Sequence, residues 1–188
     1  RDFPAQRFIG GGEESFGYLA GDFVRDKDAV ISAVLFVQIA AIAKAKGQSL
    51  IDYLNNIYEV HGLYRERLNA QTLKGKSGLE KIADMMHTFR TNPPRTLAGE
   101  KVIEISDYKE GTRLDPITGE ATTIDFDRSN VLQFLTEQGS LVTDRPSGTE
   151  PKIKFYFSVN TSIKDSLIAF IDRLEQRIDQ LEQAMIPT

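Results

Sequence analysis

The sequence predicts a mixed protein, α/β in its first third and α+β in the remainder. Three observations carry that expectation. Residues 1–61 read as mainly helical around the apolar run Ala29 to Ala43. From about Gly99 the pattern changes to short alternating segments separated by turn residues, as an antiparallel sheet requires. The chain closes on Leu167, Ile171, Leu174, Ile178, Leu181 and Met185, which step by four and three as one face of a helix does.

In order, Arg7 to Gly10 reads as a short strand. The run Ala29 to Ala43 is shorter than the roughly 20 residues of a membrane span and reads as a buried helix. Asp26 or Asp28 caps its start and Gly47 stops it. Ser49 and Asp52 form a Ser-x-x-Asp variant of the capping box ahead of a second helix reaching about Glu59, and Gly62 ends that region. Tyr64 to Leu73 is extended. Ser77-Gly78-Leu79-Glu80 is a fuller capping box, and the helix it opens stops before Asn92-Pro93-Pro94.

Four strands follow, at Lys101–Asp107, Val131–Thr136, Leu141–Asp144 and Ile153–Val159. In the first, Val102, Glu104 and Ser106 face one way, and Ile103, Ile105 and Asp107 the other. Leu114 to Glu120 is a turn-rich excursion, and Gln138-Gly139 marks a tight hairpin. Ser162 with Asp165 caps the last helix, which covers the sheet rather than forming a coiled coil. The unit boundary falls at residues 61 and 62, giving units 1–61 and 62–188.

Composition narrows the chemistry. Of 188 residues, 40% are hydrophobic and 27% charged, which is ordinary for a globular domain. The net charge of −4 argues against coating nucleic acid or an acidic membrane, yet allows a local basic pocket. With no cysteine, the chain has no disulfide framework, thiolate catalysis or Cys-ligated metal, and a reducing, cytoplasmic setting is expected. The two histidines, His61 and His87, lie in no ligand pattern, so no metal site is expected. Arg1–Pro4 lacks the apolar run of a signal peptide, and the chain does not begin with Met, the mark of a fragment or a processed product.

Two motifs stand out. Gly10-Gly11-Gly12-Glu13-Glu14-Ser15-Phe16-Gly17 matches neither a phosphate-cradling loop nor a dinucleotide fingerprint. It sets two carboxylates and a hydroxyl on free backbone, equipment for gripping vicinal sugar hydroxyls; the plainer alternative is a helix-entry turn with solvated glutamates. Arg145-Pro146-Ser147-Gly148-Thr149-Glu150-Pro151-Lys152 suits a phosphate dianion. Arg145 offers paired hydrogen bonds, Ser147 and Thr149 offer hydroxyls, Gly148 lets backbone amides form a nest, and Lys152 adds a point charge. The prolines stiffen the loop. Arg25-Asp26-Lys27-Asp28 reads on its residues alone as a capping and charge-pairing segment.

Gly12–Gly17, then Arg25–Asp28, then Arg145–Pro151, in that order, resemble the α-D-phosphohexomutases. The Glu-Glu-Ser form of the first loop is similar to the glucose-type members, so the likeness is phosphoglucomutase-like; mannose-type and glucosamine-type members are the alternatives. The resemblance implies the end of a third α/β domain followed by a TATA-binding-protein-like C-terminal domain, a four-stranded antiparallel sheet with flanking helices. It implies a phosphoryl shift between C1 and C6 of a hexose phosphate through glucose 1,6-bisphosphate, using a phosphoserine and Mg2+.

On that resemblance Glu13 and Ser15 contact the sugar, and Lys27 lies near the substrate phosphate or the reacting oxygens. Arg145, Ser147, Gly148, Thr149 and Lys152 hold the phosphate that is not reacting. The sequence has no Ser-His-Asn-Pro phosphoserine loop and no Asp-Gly-Asp-x-Asp-Arg metal loop; Asp125-Phe126-Asp127-Arg128 lacks the glycine and the spacing. No catalytic residue is therefore assigned beyond an assisting Lys27. The chain is expected to act with N-terminal domains of the same enzyme and to be inactive alone. A freestanding phosphosugar-binding module is the other reading.

Overall fold

The computed structural model describes residues 7–13, 16–162 and 167–186. The chain divides between Val60 and His61 into two compact units.

The first unit holds strands β1 (Gly10–Gly12) and β2 (Tyr18–Ala20), then helices α1 (Ala29–Ala45) and α2 (Leu50–His61). The expected strand at Arg7–Gly10 lies later, on the glycines themselves, which pair antiparallel with β2 (Gly10 with Ala20, Gly12 with Tyr18). The glycines permit a close approach: a Cβ on Gly10 would stand 2.9 Å from both the Leu19 carbonyl oxygen and the Tyr18 hydroxyl. Asp28 caps α1, its carboxylate accepting from the N–H groups of Val30 (2.9 Å) and Ile31 (3.3 Å). At the other end Gln48 N–H donates to the Ala43 carbonyl and Gly47 N–H to that of Lys44, a Schellman motif made possible by Gly47 at φ 69°. The Ser49–Asp52 box forms: Ser49 N–H donates to Asp52 Oδ2 (2.9 Å) and Asp52 N–H to Ser49 Oγ (3.1 Å).

The expectation that α1 is a buried helix is not met. Of its residues only Ala43 is buried, while Val30, Val34, Phe36, Val37, Ile39 and Ile42 are exposed. A helix apolar on every side needs more than one covering surface, and one hairpin and one helix do not supply it. Among the described residues no single helix is long and apolar enough to cross a membrane; α1 and α2 pass that test only as a pair bent by 92°.

The second unit is a wholly antiparallel sheet with two helices, α3 (Lys76–Thr91) and α4 (Leu167–Met185). Its strands are β3 (Leu63–Thr72), β4 (Thr96–Leu97), β5 (Glu100–Asp107), β6 (Thr112–Leu114), β7 (Ala121–Thr123), β8 (Leu132–Thr136), β9 (Leu141–Pro146) and β10 (Lys152–Thr161). Their spatial order is β3-β10-β9-β8-β5-β6-β7, with β4 beside β5. The sheet is thus wider than the four strands expected. The extended segment at Leu63–Thr72 pairs with β10 along its whole length, and β6 and β7, three residues each, are too short to show alternation. The turn between them is held by Asp115 Oδ1, which accepts from the N–H groups of Ile117 and Thr118.

Alternation in β8, β9 and β10 sends Leu132, Phe134, Val142, Ile153, Phe155, Phe157 and Val159 to one face, each at most 1% exposed. Phe170, Leu174, Ile178, Leu181 and Met185 of α4 are buried, with α4 packed on β10 and β3, so the last helix is a lid on the sheet. An arginine ladder on β3 faces α4: Arg65 pairs with Glu175, and Arg67 with Glu175, Asp179 and Glu182. In β5 a register shift between Val102 and Glu104 breaks the expected alternation, burying Val102 together with Ile105. Ser77 does not cap α3. The cap position is Gly75 at φ 81°, so the helix starts two residues early; Gly78 packs on the Leu73 carbonyl, where a Cβ would stand 1.8 Å from the oxygen. Asp165, the expected partner of Ser162, lies outside the described residues.

Among the buried carboxylates of this unit, Glu100 and Asp144 show opposite consequences of burial. Burial alone would raise the Glu100 carboxyl, but hydrogen bonds from Arg177 (Nε to Oε1, 2.5 Å; Nη2 to Oε2, 3.0 Å) and from Thr136 outweigh it and hold the group below its ordinary range. Asp144, also fully buried, has no hydrogen-bond partner at either oxygen and faces Phe155 and Leu132 across the ladder. Burial pushes its carboxyl well above the ordinary value.

Removing Arg177 leaves an uncompensated charge, so Arg177→Ala should cost about 3 kcal/mol in urea unfolding near neutral pH. The depressed Glu100 value makes this contribution present above the unfolded carboxylate range and lost as pH falls through the folded value. The gap between wild type and variant therefore narrows in acid. For Asp144 the sign reverses. The folded chain keeps a proton that the unfolded chain releases above about pH 4, so stability falls as pH rises toward the folded value. Asp144→Asn, isosteric and never charged, should gain on wild type as pH climbs above about 4; a pH-independent difference would refute the protonated state.

Candidate functional site

Each unit carries one of the two motifs, and each is built on a hairpin. In the first unit the backbone turns between β1 and β2, with Glu13 N–H donating to the Gly17 carbonyl (2.9 Å) and Phe16 N–H to that of Glu13 (3.2 Å). Lys27 reaches back over this turn and donates to Glu13 Oε2 (3.2 Å) and Oε1 (3.4 Å). Its ammonium also lies 3.7 Å from Asp26 Oδ1. The hydrogen bond to Glu13, then the charges of Glu13 and Asp26, raise the Lys27 amine above its ordinary value. Both side chains are about half exposed, so the pair stays open to solvent and to a ligand.

A cavity of about 270 Å³ opens here, lined by Phe8, Gly11, Gly12, Glu13, Arg25 and Lys27 among others. A carboxylate accepts from one hydroxyl while the ammonium beside it donates to the neighbouring one, the pattern that suits a vicinal diol. Ser15 lies outside the described residues. Within Arg25–Asp28, Asp28 does the capping and Lys27 the pairing with Glu13. Gly17 makes that pairing possible: a Cβ there would stand 2.2 Å from Lys27 Cδ and 2.6 Å from Cγ.

In the second unit Arg145 stands near the end of β9 and Lys152 at the start of β10. Ser147 N–H donates to the Lys152 carbonyl (2.8 Å), closing the hairpin, and Leu73 N–H donates to that of Pro151 (2.8 Å), tying the loop to the end of β3. The connecting residues surround a cavity of about 450 Å³ lined by Arg145 through Glu150, Lys152 and Lys154. Arg145, Ser147, Gly148, Thr149 and Lys152 are therefore brought together. The nest expected at Gly148 differs in detail. The N–H groups of Thr149 (3.4 Å) and Glu150 (3.3 Å) donate long hydrogen bonds to Ser147 Oγ. Gly148 relieves no crowding, since nothing lies within 4 Å of where its Cβ would be; its bare backbone leaves the mouth of the cavity clear.

Sequence reading missed Phe8 and Arg25 in the first cavity and Lys154 in the second. Lys154 was findable, because period-two alternation puts it on the same face as Lys152. His61 and His87 are both exposed. Among the described residues no three His, Asp or Glu side chains gather as a metal site, so the donor set for the Mg2+ implied by resemblance is not found here.

Residues 3–61 match the family model described as phosphoglucomutase/phosphomannomutase, alpha/beta/alpha domain III. The chain is 40% identical over 157 residues to a phosphoglucomutase of Staphylococcus epidermidis, covering 84% of this chain and 29% of that protein. It is 43% identical over 156 residues to one of Staphylococcus aureus, covering 82% and 28%. It thus spans under a third of the length of the curated relatives it matches. The open-form crystal structure of the exocytosis-sensitive phosphoprotein pp63/parafusin, a phosphoglucomutase from Paramecium, aligns over 94% of this chain and 31% of its own, at 20% identity and a TM-score of 0.54, a likeness of fold. Residues 3–61 thus match the third domain of that family, and over some 157 residues the chain is phosphoglucomutase-like.

Replacing Gly17 with Ala should push the Lys27 side chain off Glu13. NMR titration of the lysine amines would then find the Lys27 value, raised in the wild type, moved back toward ordinary; an unchanged titration would show that the turn does not govern the pair.

Proposed function

We propose that this chain supplies the sugar- and phosphate-recognition surfaces of a phosphoglucomutase that interconverts glucose 1-phosphate and glucose 6-phosphate through glucose 1,6-bisphosphate. The observation that carries the reading is the open cavity of the second unit, which joins the Arg145 guanidinium, two hydroxyls, Lys152 and free backbone in one hairpin loop. A phosphate oxygen is a stronger acceptor than the Ser147 hydroxyl, so a bound anion takes over the Thr149 and Glu150 N–H groups while Arg145 closes on it with paired bonds. In the first unit Glu13 accepts from sugar hydroxyls, Ser15 joins it, and Lys27 serves the oxygens nearer the reacting phosphate.

None of these residues forms or breaks the P–O bond. When bound, Mg2+ would neutralise charge on the transferring phosphoryl group, with the phosphoserine and metal ligands supplied by other domains of a longer polypeptide. The chain alone is then inactive. The absence of cysteine is compatible with the cytoplasmic setting that belongs to this reading. The Glu-Glu-Ser loop favours glucose over mannose phosphates.

NMR titration of the 188-residue chain with glucose 6-phosphate tests the proposal. The amides of Gly148, Thr149 and Lys152 should shift together, and Arg145→Ala should weaken binding about tenfold or more, the value of a charged hydrogen-bond pair. Equal binding by the variant would overturn the phosphate assignment.

A further inference from the structure

A further polar cavity opens at the other end of the second unit's sheet. It measures about 460 Å³ and is walled by α4, the β4–β5 turn, the β8–β9 turn and the end of β10. Thr161, which lines it, ends the strand that Lys152 begins, so about 30 Å of β10 separates it from the loop at Arg145–Lys152. The two cavities share no lining residue. The volume is that of a small-molecule site.

Spacings of three and four bring Arg173, Gln176, Arg177 and Gln180 of α4 to this wall. Arg177 is engaged: Glu100 neutralises its guanidinium and also takes the Thr136 hydroxyl. Arg173, one turn earlier, has no carboxylate partner among the described residues. Its guanidinium lies 5.1 Å from the ring centroid of the buried Phe170. The ring face orients the guanidinium and leaves its N–H fork free to donate.

Gln138, Gln176 and Gln180 add three exposed amides, unbonded among the described residues, each able both to donate and to accept. The turn carrying Gln138 is pinned: Asn160 Nδ2 donates to the Gly139 carbonyl (3.0 Å), and Ser140 N–H to Thr136 Oγ1 (3.0 Å). On the β4–β5 turn, Ala98 lines the cavity at φ 50°, the left-handed region that strains any residue but glycine. Strain of that kind collects at ligand sites.

We infer that this cavity binds a small hydroxylated monocarboxylate, Arg173 holding the carboxylate and the glutamine amides the hydroxyls. The charge fits, because Arg173, Arg177 and Glu100 leave the lining at +1, enough for one carboxylate and one short of a phosphate dianion. The shape fits as well, since a guanidinium fork matches the two oxygens of a carboxylate. The bound anion ties α4 to both turns.

The 188-residue chain, titrated by NMR at low salt with gluconate, acetate, glucose and inorganic phosphate, tests this. Gluconate should shift the amides of Gly99, Gln138 and Gln180 to saturation, glucose should not, and acetate should bind about tenfold more weakly than gluconate. Arg173→Gln should weaken gluconate about tenfold and Gln180→Ala about threefold. Arg173→Lys, which keeps the charge without the fork, should fall between wild type and Arg173→Gln. Without ligand, the melting temperature of Arg173→Gln should lie within about 4 °C of wild type, the value of an exposed cation–ring contact. A larger loss would assign Arg173 to the fold and overturn the inference. Gluconate affinity unchanged in Arg173→Gln, or no gluconate shift at all, would overturn it too. Phosphate binding these amides more tightly than gluconate, or acetate binding as tightly, would overturn the ligand class.

Discussion

The two-residue period of β10 is the constraint on which the second unit depends. Ile153, Phe155, Phe157 and Val159 point into the core, while Lys152, Lys154 and Tyr156 point to the opposite face beside the Arg145–Lys152 loop. The strand pairs with β3 over ten residues on one side and with β9 over six on the other, so it cannot slide without breaking both ladders. A slip by one residue would bring the lysines into the core and the phenylalanines to the cavity. The core thereby sets the site: burying the aromatic side chains determines where the cations stand, and no separate device is needed to aim them.

The buried polar groups divide along the same lines. Glu100 is fully partnered by Arg177 and Thr136, and so joins the start of β5 to α4 and to the end of β8. Asp107, likewise buried, receives Arg90 from α3 (2.9 Å). Asp144 has no such partner, and it sits one residue before Arg145. The structure gives no bonding reason for an aspartate there. It remains tolerable only in its neutral form, which makes it a weak point in the strand that delivers the guanidinium.

Much of this was legible in the sequence where one local signal is sufficient. The Asp28 cap, the Ser49–Asp52 box, the Gly47 stop, the Gln138-Gly139 hairpin and the loop joining the strands around Arg145 and Lys152 all depend on residues within a few positions of one another. The failures share a different cause. The strand at Gly10–Gly12 was hidden because glycine has no pattern of its own; its role emerges only when Tyr18 is laid across it. Ser77 had the letters of a cap, but the helix starts two residues earlier, with Gly75 at the cap in a positive-φ conformation that a capping-box pattern does not show. The bulge in β5 reversed Val102 relative to Ile105, which no count along one strand can foresee.

The apolar helix α1 makes a geometric demand on its surroundings. Val30, Val34 and Val37 lie along one side, and Phe36, Ile39 and Ile42 along the opposite one, all solvent-exposed. A lid such as α4, which hides one stripe beneath a single layer, would leave half of these side chains wet. Covering α1 completely would take walls on two flanks, where α4 needs only one.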